Sequence, residues 1–171
     1  MPACTLNILF LCTHNSARSI LAEGLMNQLG SGRFRGFSAG SHPSGRVNPL
    51  AIATLDRLGC GTRGMRSKSW DEFTQPDAPR VDFIITVCDA AASENCPVLP
   101  GRPATAHWGC ADPSAASGDK EAHLAAFAET AQIISGRIQR FLQLPVSAST
   151  RYNTLVHFGV AGDLHDRSRS T

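Results

Sequence analysis

The stretch LNILFLCTHNSARSILAEGL, residues 6–25, ends an apolar run on Cys12, crosses small and polar residues, and enters a helical pattern at Arg18. A cysteine and an arginine placed this way suit oxyanion chemistry. Backbone N–H groups from Thr13, His14, Asn15, Ser16 and Ala17 can curl into an anion-binding nest backed by the positive end of the following helix. A thiol in such a field is drawn toward the nucleophilic thiolate. Arg18 adds a planar fork of donors matched to two oxygens of a tetrahedral oxyanion, and the Ser19 hydroxyl can hydrogen-bond the sulfur. The spacing alone is weak, because Cys60/Arg66 and Cys96/Arg102 repeat it. Cys60 follows a helix stop, and Cys96 runs into Pro97, Pro100 and Pro103. Cys12 alone has a strand before it and a helix after it, which weighs against a plain core cysteine. His14 serves mainly through its backbone.

The elements that must hold this loop alternate in type. Residues 5–11 predict a buried strand and 18–29 a helix with Ile20, Leu21, Leu25 and Leu29 on its face. Residues 33–40 predict a second strand, stopped by Gly40 and the Pro43/Gly45 turn. In 48–59, Asn48 is an N-cap, Pro49 opens a helix and Gly59 stops it. Residues 81–87 predict the third strand, 89–102 a loop rich in small residues and proline, and 103–108 a short fourth strand. Residues 119–144 form a long amphipathic helix, and 145–171 lack a sustained period and predict a loosely ordered tail. The expectation is one α/β domain over residues 1–144, a four-stranded parallel sheet with helices on both faces. Such sheets bind ligands beyond the strand C-termini, where Cys12 sits.

Composition limits the function. Sixteen basic residues against fourteen acidic ones give a net charge of +2 over 171 residues. That balance is no footprint for nucleic acid or a membrane surface. Apolar runs fall short of a membrane span and residues 1–12 lack a secretory pattern, so the expectation is a soluble, cytoplasmic chain. There its six cysteines stay mostly reduced and are candidates for chemistry.

The sequence Cys12-Thr-His-Asn-Ser-Ala-Arg18-Ser19 resembles the phosphate loop of the low-molecular-weight protein tyrosine phosphatase fold. FSAGSHPSGRVNPLAIATL, FIITVCDAAASENCPVLPG and HWGCADPS are similar to the arsenate reductases built on that fold, the thioredoxin-coupled type. The likeness runs through about residues 5–144 and fades in the tail. It implies that Asp112 of Asp112-Pro113 protonates the leaving oxygen and that Asn15 braces the loop's strained backbone. It also implies a relay in which Cys12 attacks arsenic, Cys88 takes Cys12 into a disulfide, and Cys96 then takes Cys88. Cys88 and Cys96 are poorly spaced for zinc but suit two thiols that approach as a loop folds. Ala17 stands where many such reductases have another cysteine, and the Cys88–Cys96 spacing is one residue longer than usual.

Three functions remain to be separated. A phosphatase needs only nucleophile, arginine and acid. Reduction needs two further electrons, and with no flavin, nicotinamide or metal motif they fall to Cys88 and Cys96. Phosphatases of this fold usually carry aromatic residues beside Asp-Pro, where this chain has Ser114 and Ala115, and Tyr152 is its one tyrosine. A noncatalytic arsenite or soft-metal binder using Cys12, Cys88 and Cys96 would need no Arg18. Arsenate reduction is the preferred expectation, with phosphate or sulfate as substrate mimics and no bound metal or cofactor. Electrons come from an external thiol donor, thioredoxin or glutathione with glutaredoxin. Cys4 and Cys60 are bystanders, Cys110 lies close enough to Asp112 to watch, and His107 and Trp108 are packing residues beside the Asp112 loop.

Overall fold

A computed structural model describes residues 4–146. Four strands, β1 (Leu6–Cys12), β2 (Phe34–Gly40), β3 (Phe83–Thr86) and β4 (Ala104–His107), form one parallel sheet in the order β2-β1-β3-β4. Cys12 pairs with Gly40 on one side of β1, and Leu11 pairs with Thr86 on the other. The chain moves outward from β1 to β2, then returns across β1 to β3. The carboxyl ends of β1 and β3 therefore flank the point where the winding reverses, which is where such sheets open a ligand crevice.

Alternation along the strands splits the core. Ile8, Phe10, Phe83 and Ile85 face a large cluster shared with α1 (Arg18–Leu29), α2 (Pro49–Arg57) and α4 (Lys120–Leu142). Leu9, Leu11 and Ile84 face a smaller cluster closed by Phe73, Val81 and Leu99. Each fully buried side chain such as Phe10 or Phe141 contributes about 1.5–3 kcal/mol by leaving water. Trp108 lies in the larger cluster against Phe10 and Phe141, at ring separations of 6.0 and 6.1 Å, as its packing role requires. A Cβ on Gly24 would lie 2.7 Å from Leu55, so that glycine lets α1 and α2 approach closely.

Helix starts follow local chemistry. Asn48 accepts from the Leu50 amide at 2.9 Å to start α2, with Pro49 in the first turn. Asp119 accepts from Ala122 at 2.9 Å to start α4. Three short helical segments escaped the pattern. The expected loop 89–102 opens with α3 (Asp89–Ser93), where three alanines favour helix and Cys88 supplies the cap. Ser69 and Asp112 nucleate 3₁₀ turns at Trp70–Thr74 and Pro113–Ala115. In the segment read as a tail, Val146 packs against the core; residues 147–171 lie outside the described residues.

Candidate active site

The loop from Cys12 to Arg18 joins β1 to α1 at the crevice. Helix α1 begins without a side-chain cap or an acidic residue in its first turn, whereas side chains cap α2, α3 and α4. Its first amides are consequently left for an anion. Cys12 is buried, and its Sγ lies 2.9 Å from Ser19 Oγ and accepts from the Asn15 amide at 3.2 Å. Ser19 therefore sits where the sequence pointed, in contact with the nucleophile candidate.

Asn15 has φ of +48°, the left-handed region, and is fully buried. Asparagine tolerates that conformation better than most residues because its side chain bonds locally. Here Nδ2 donates to Ser19 Oγ at 2.8 Å and Oδ1 accepts from the Lys68 amide at 2.9 Å. The loop's carbonyls are held from outside as well. Thr13 O accepts from the His42 amide, His14 O from the Ser44 amide and Ser67 Oγ, and Ser16 O from the Asn48 amide. With its carbonyls turned outward and occupied, the loop is free to turn amides inward. A Cβ on Gly40 would run into the Thr13 carbonyl, so β2 must end on glycine to let the loop pass.

Arg18 Nη1 donates to the Cys110 carbonyl at 3.0 Å, and Nη2 lies 3.7 Å from Asp112 Oδ2. The guanidinium is thus steered from the Asp112 loop. Asp112 Oδ1 accepts from the Ser114 amide at 3.0 Å and from Ser114 Oγ at 2.6 Å, which fixes the carboxylate at the crevice rim.

Cys88 follows β3, is buried, and its Sγ lies 3.7 Å from Thr13 Oγ1. The same sulfur accepts from the Ala91 amide at 3.4 Å and so caps α3. Cys96 is elsewhere. It packs against the smaller cluster on the other face of the sheet, and burial pushes its thiol up. Cys12, Cys88, Arg18 and Asp112 are brought together here; Cys96 is not.

Cys110 packs against the Cys12 and Cys88 side of the core, with Sγ 3.5 Å from the Val87 carbonyl. Burial pushes its thiol up to about 11 against the pull of Arg18. Burial also raises Cys60, and Cys4 is exposed. His107 does more than pack: Nδ1 lies 2.7 Å from Thr86 Oγ1 and Nε2 2.9 Å from Asp89 Oδ1, tying β4 to the start of α3.

Sequence reasoning missed the supports behind the loop, Gly40, Ser67 and Lys68. Their partners lie tens of residues away and no local spacing marks them. Behind them Ser38 Oγ donates to Glu23, whose carboxyl is raised by burial and eased back by Lys68. Lys68 is itself lowered by burial. Among the described residues no group of three or more His, Cys, Asp or Glu is arranged to hold a metal ion, and no helix is long and apolar enough to cross a membrane.

Residues 7–150 match the family described as low molecular weight phosphotyrosine protein phosphatase. An arsenate reductase of Shouchella clausii is 34% identical over 136 residues, 80% of this chain and 94% of that protein. A solved structure of an arsenate reductase in the phosphate binding state is 26% identical, with a TM-score of 0.62, covering 81% of this chain and 97% of that one. A low molecular weight protein tyrosine phosphatase from T. tengcongensis superposes with a TM-score of 0.63 at 21% identity over 81% of this chain and 99% of its own, a likeness of fold. The strand, loop and helix around Cys12, the sheet that carries them and the extent of these matches agree: the chain belongs to the low molecular weight phosphotyrosine protein phosphatase family.

Proposed function

We propose that this protein reduces arsenate to arsenite. The cradle by itself would serve a phosphatase equally well. The observation that favours reduction is the second buried thiol, Cys88, just past the strand beside β1, with its sulfur 3.7 Å from Thr13 Oγ1 of the cradle. A hydrolytic site has no use for it, and the curated relatives are arsenate reductases.

In this reading the loop amides and Arg18 bind arsenate, and the Cys12 thiolate attacks arsenic. A hydroxyl leaves as water with the proton of Asp112, giving a Cys12 thioarsenate. The Cys88 thiolate then attacks Cys12 Sγ, the S–As bond breaks, and its electron pair reduces As(V) to As(III). Arsenite leaves and a Cys12–Cys88 disulfide remains. Once Cys88 is in that disulfide, its sulfur is a poorer acceptor for the Ala91 amide. A five-residue helix has little stability of its own, so α3 unwinds and frees Cys96 from the opposite face. Cys96 attacks Cys88 Sγ, Cys12 returns as thiolate, and an external thiol donor reduces Cys88–Cys96. Thioredoxin suits that intramolecular disulfide better than glutathione with glutaredoxin, which would resolve a mixed disulfide and leave Cys96 idle.

The test is arsenite production by the purified protein with thioredoxin and thioredoxin reductase, set beside glutathione with glutaredoxin and beside phosphate-ester hydrolysis. Sustained arsenite release with thioredoxin and only slow ester cleavage supports the reading. Efficient ester cleavage without arsenite release would make the protein a phosphatase.

A further inference from the structure

One imidazole ring spans the residues on either side of Cys88. His107 ends β4 directly opposite Thr86 in the sheet register, with Nδ1 2.7 Å from Thr86 Oγ1 and Nε2 2.9 Å from Asp89 Oδ1. Thr86 ends β3 and Asp89 opens α3, with Val87 and Cys88 between them. An ionised carboxylate accepts and never donates, so Nε2 carries the proton, and Nδ1 of the neutral ring accepts from the Thr86 hydroxyl. Both ring nitrogens are thus used by the residues that bracket the second thiol of the site. Gly109 lies close over the same contact. A Cβ there would come 2.7 Å from His107 Nε2 and 2.8 Å from Asp89 Oδ1, so glycine is what leaves the pair room to close. Backbone bonds tie this stretch to the chain after β4 as far as Val87. The Trp108 amide donates to the Thr86 carbonyl at 2.7 Å and the Cys110 amide to the Val87 carbonyl at 3.3 Å. At Asp89 the His107 ring extends that hold onto α3, whose Ala91 amide donates to Cys88 Sγ at 3.4 Å.

We propose that His107 is a positioning residue for the thiol relay: by joining Thr86 to Asp89 it keeps Cys88 turned toward Cys12 until arsenite has left. This role rests on the relay reading above and accounts for the order of its steps. Cys88 has two partners to serve, Cys12 on its own side of the sheet and Cys96 in the cluster on the other. The first step belongs to the reduced protein, in which α3 is folded and both ring bonds are in place. The Cys12–Cys88 bond forms, the S–As bond breaks and its electron pair passes to arsenic. A sulfur whose flanking residues are both held has little orientational freedom left to lose, which speeds that attack. In the second step the Cys96 thiolate bonds to Cys88 and Cys12 leaves as a thiolate, and α3 has to unwind. The Asp89 contact opposes that unwinding. His107 therefore speeds one step and slows the next, a pair of opposite effects that a residue serving only the fold would not produce. The Asp89 side chain is 95% exposed, so water screens the contact and both effects are modest.

The test follows both steps after stoichiometric arsenate. Arsenite release reports the first, and acid-quenched disulfide mapping over time reports the passage from Cys12–Cys88 to Cys88–Cys96. An asparagine amide reaches the place of Nδ1 and a glutamine amide that of Nε2, so the two substitutions separate the two bonds. His107→Asn, which loses Asp89, should release arsenite about threefold more slowly and complete the exchange about threefold faster. His107→Gln, which keeps an N–H for Asp89, should stay closer to the wild type in both steps. Gly109→Ala parts the same pair with both side chains intact, and it should follow His107→Asn. Wild-type rates for both steps in His107→Asn would overturn the positioning role. So would a slowing of both steps together in His107→Asn and Gly109→Ala, or a glutamine variant no different from the asparagine one. Cys96→Ser protein that releases no arsenite and forms no Cys12–Cys88 disulfide would overturn the relay reading itself, and this role with it.

Discussion

The Cys12 cradle and the Cys88–Arg102 segment are built on opposite plans. In the cradle, Asn15 and Ser19 are fully buried, the outward carbonyls are occupied, and the supports come from β2, the start of α2 and residues 67–68. Strain at Asn15 persists because its neighbours over-determine it. The second segment has a five-residue helix capped by a thiol, a weak acceptor, and a carboxylate oxygen buried without a partner. Its two thiols, Cys88 and Cys96, face different layers of the core. The proposed anion binding and attack need fixed geometry and fall where the fold is redundant. The proposed thiol exchange needs travel and falls where little free energy opposes local opening.

The largest expected effects break the rigid region. Cys12→Ser should lower arsenate reduction by at least about 10⁴-fold, as loss of a nucleophile does, with the fold retained. Arg18→Lys should cost on the order of 10²-fold, because a point charge cannot replace the fork. Steady-state arsenite assays on both variants check this, and wild-type rates in either would remove that residue from the chemistry. Gly40→Ala deletes no functional group yet displaces the Thr13 carbonyl. It should weaken sulfate or arsenate binding about tenfold, a shift of about 1.4 kcal/mol, measured by anion protection of Cys12 against alkylation.

Smaller effects sharpen the other side of the comparison. Burial raises the Cys96 thiol, so at a given pH less of it is the reactive thiolate. Its alkylation in the reduced, folded protein should reach half its maximum at a higher pH than in the denatured protein. An equal or lower midpoint in the folded protein would mean that the thiol is not buried in solution. Ala92→Gly, on the exposed side of α3, should loosen that helix by about 1 kcal/mol. It should speed the Cys88–Cys96 exchange by up to about fivefold while leaving anion affinity untouched. Slower exchange in Ala92→Gly would argue that α3 stays folded during the step.

The same division explains what could be read from the sequence. The four strands of the sheet, the three long helices and the Cys12 loop were legible because they rest on local signals: the apolar run into Cys12, Asn48-Pro49, Asp119. Helix α3 was not, because its cap is a cysteine and its flanks read as loop. Nor were Gly40, Ser67 and Lys68, whose partners in the loop lie 27 or more positions away in the chain. The relay role proposed for Cys96 rests on resemblance. Its place against the other layer of the core follows from Leu99 anchoring the turn, a packing fact that no spacing encodes.

The central claim is that arsenite leaves when Cys88 meets Cys12 and that Cys96 acts only afterwards. Disulfide mapping by mass spectrometry after stoichiometric arsenate tests it most directly. The Cys96→Ser protein should release about one arsenite per chain and hold a Cys12–Cys88 disulfide. The wild type should hold mainly Cys88–Cys96, and Cys88→Ser should release none while still binding anion. Repeated turnover of Cys96→Ser with thioredoxin at the wild-type rate would contradict the relay, as would a disulfide to Cys110 in place of Cys12–Cys88.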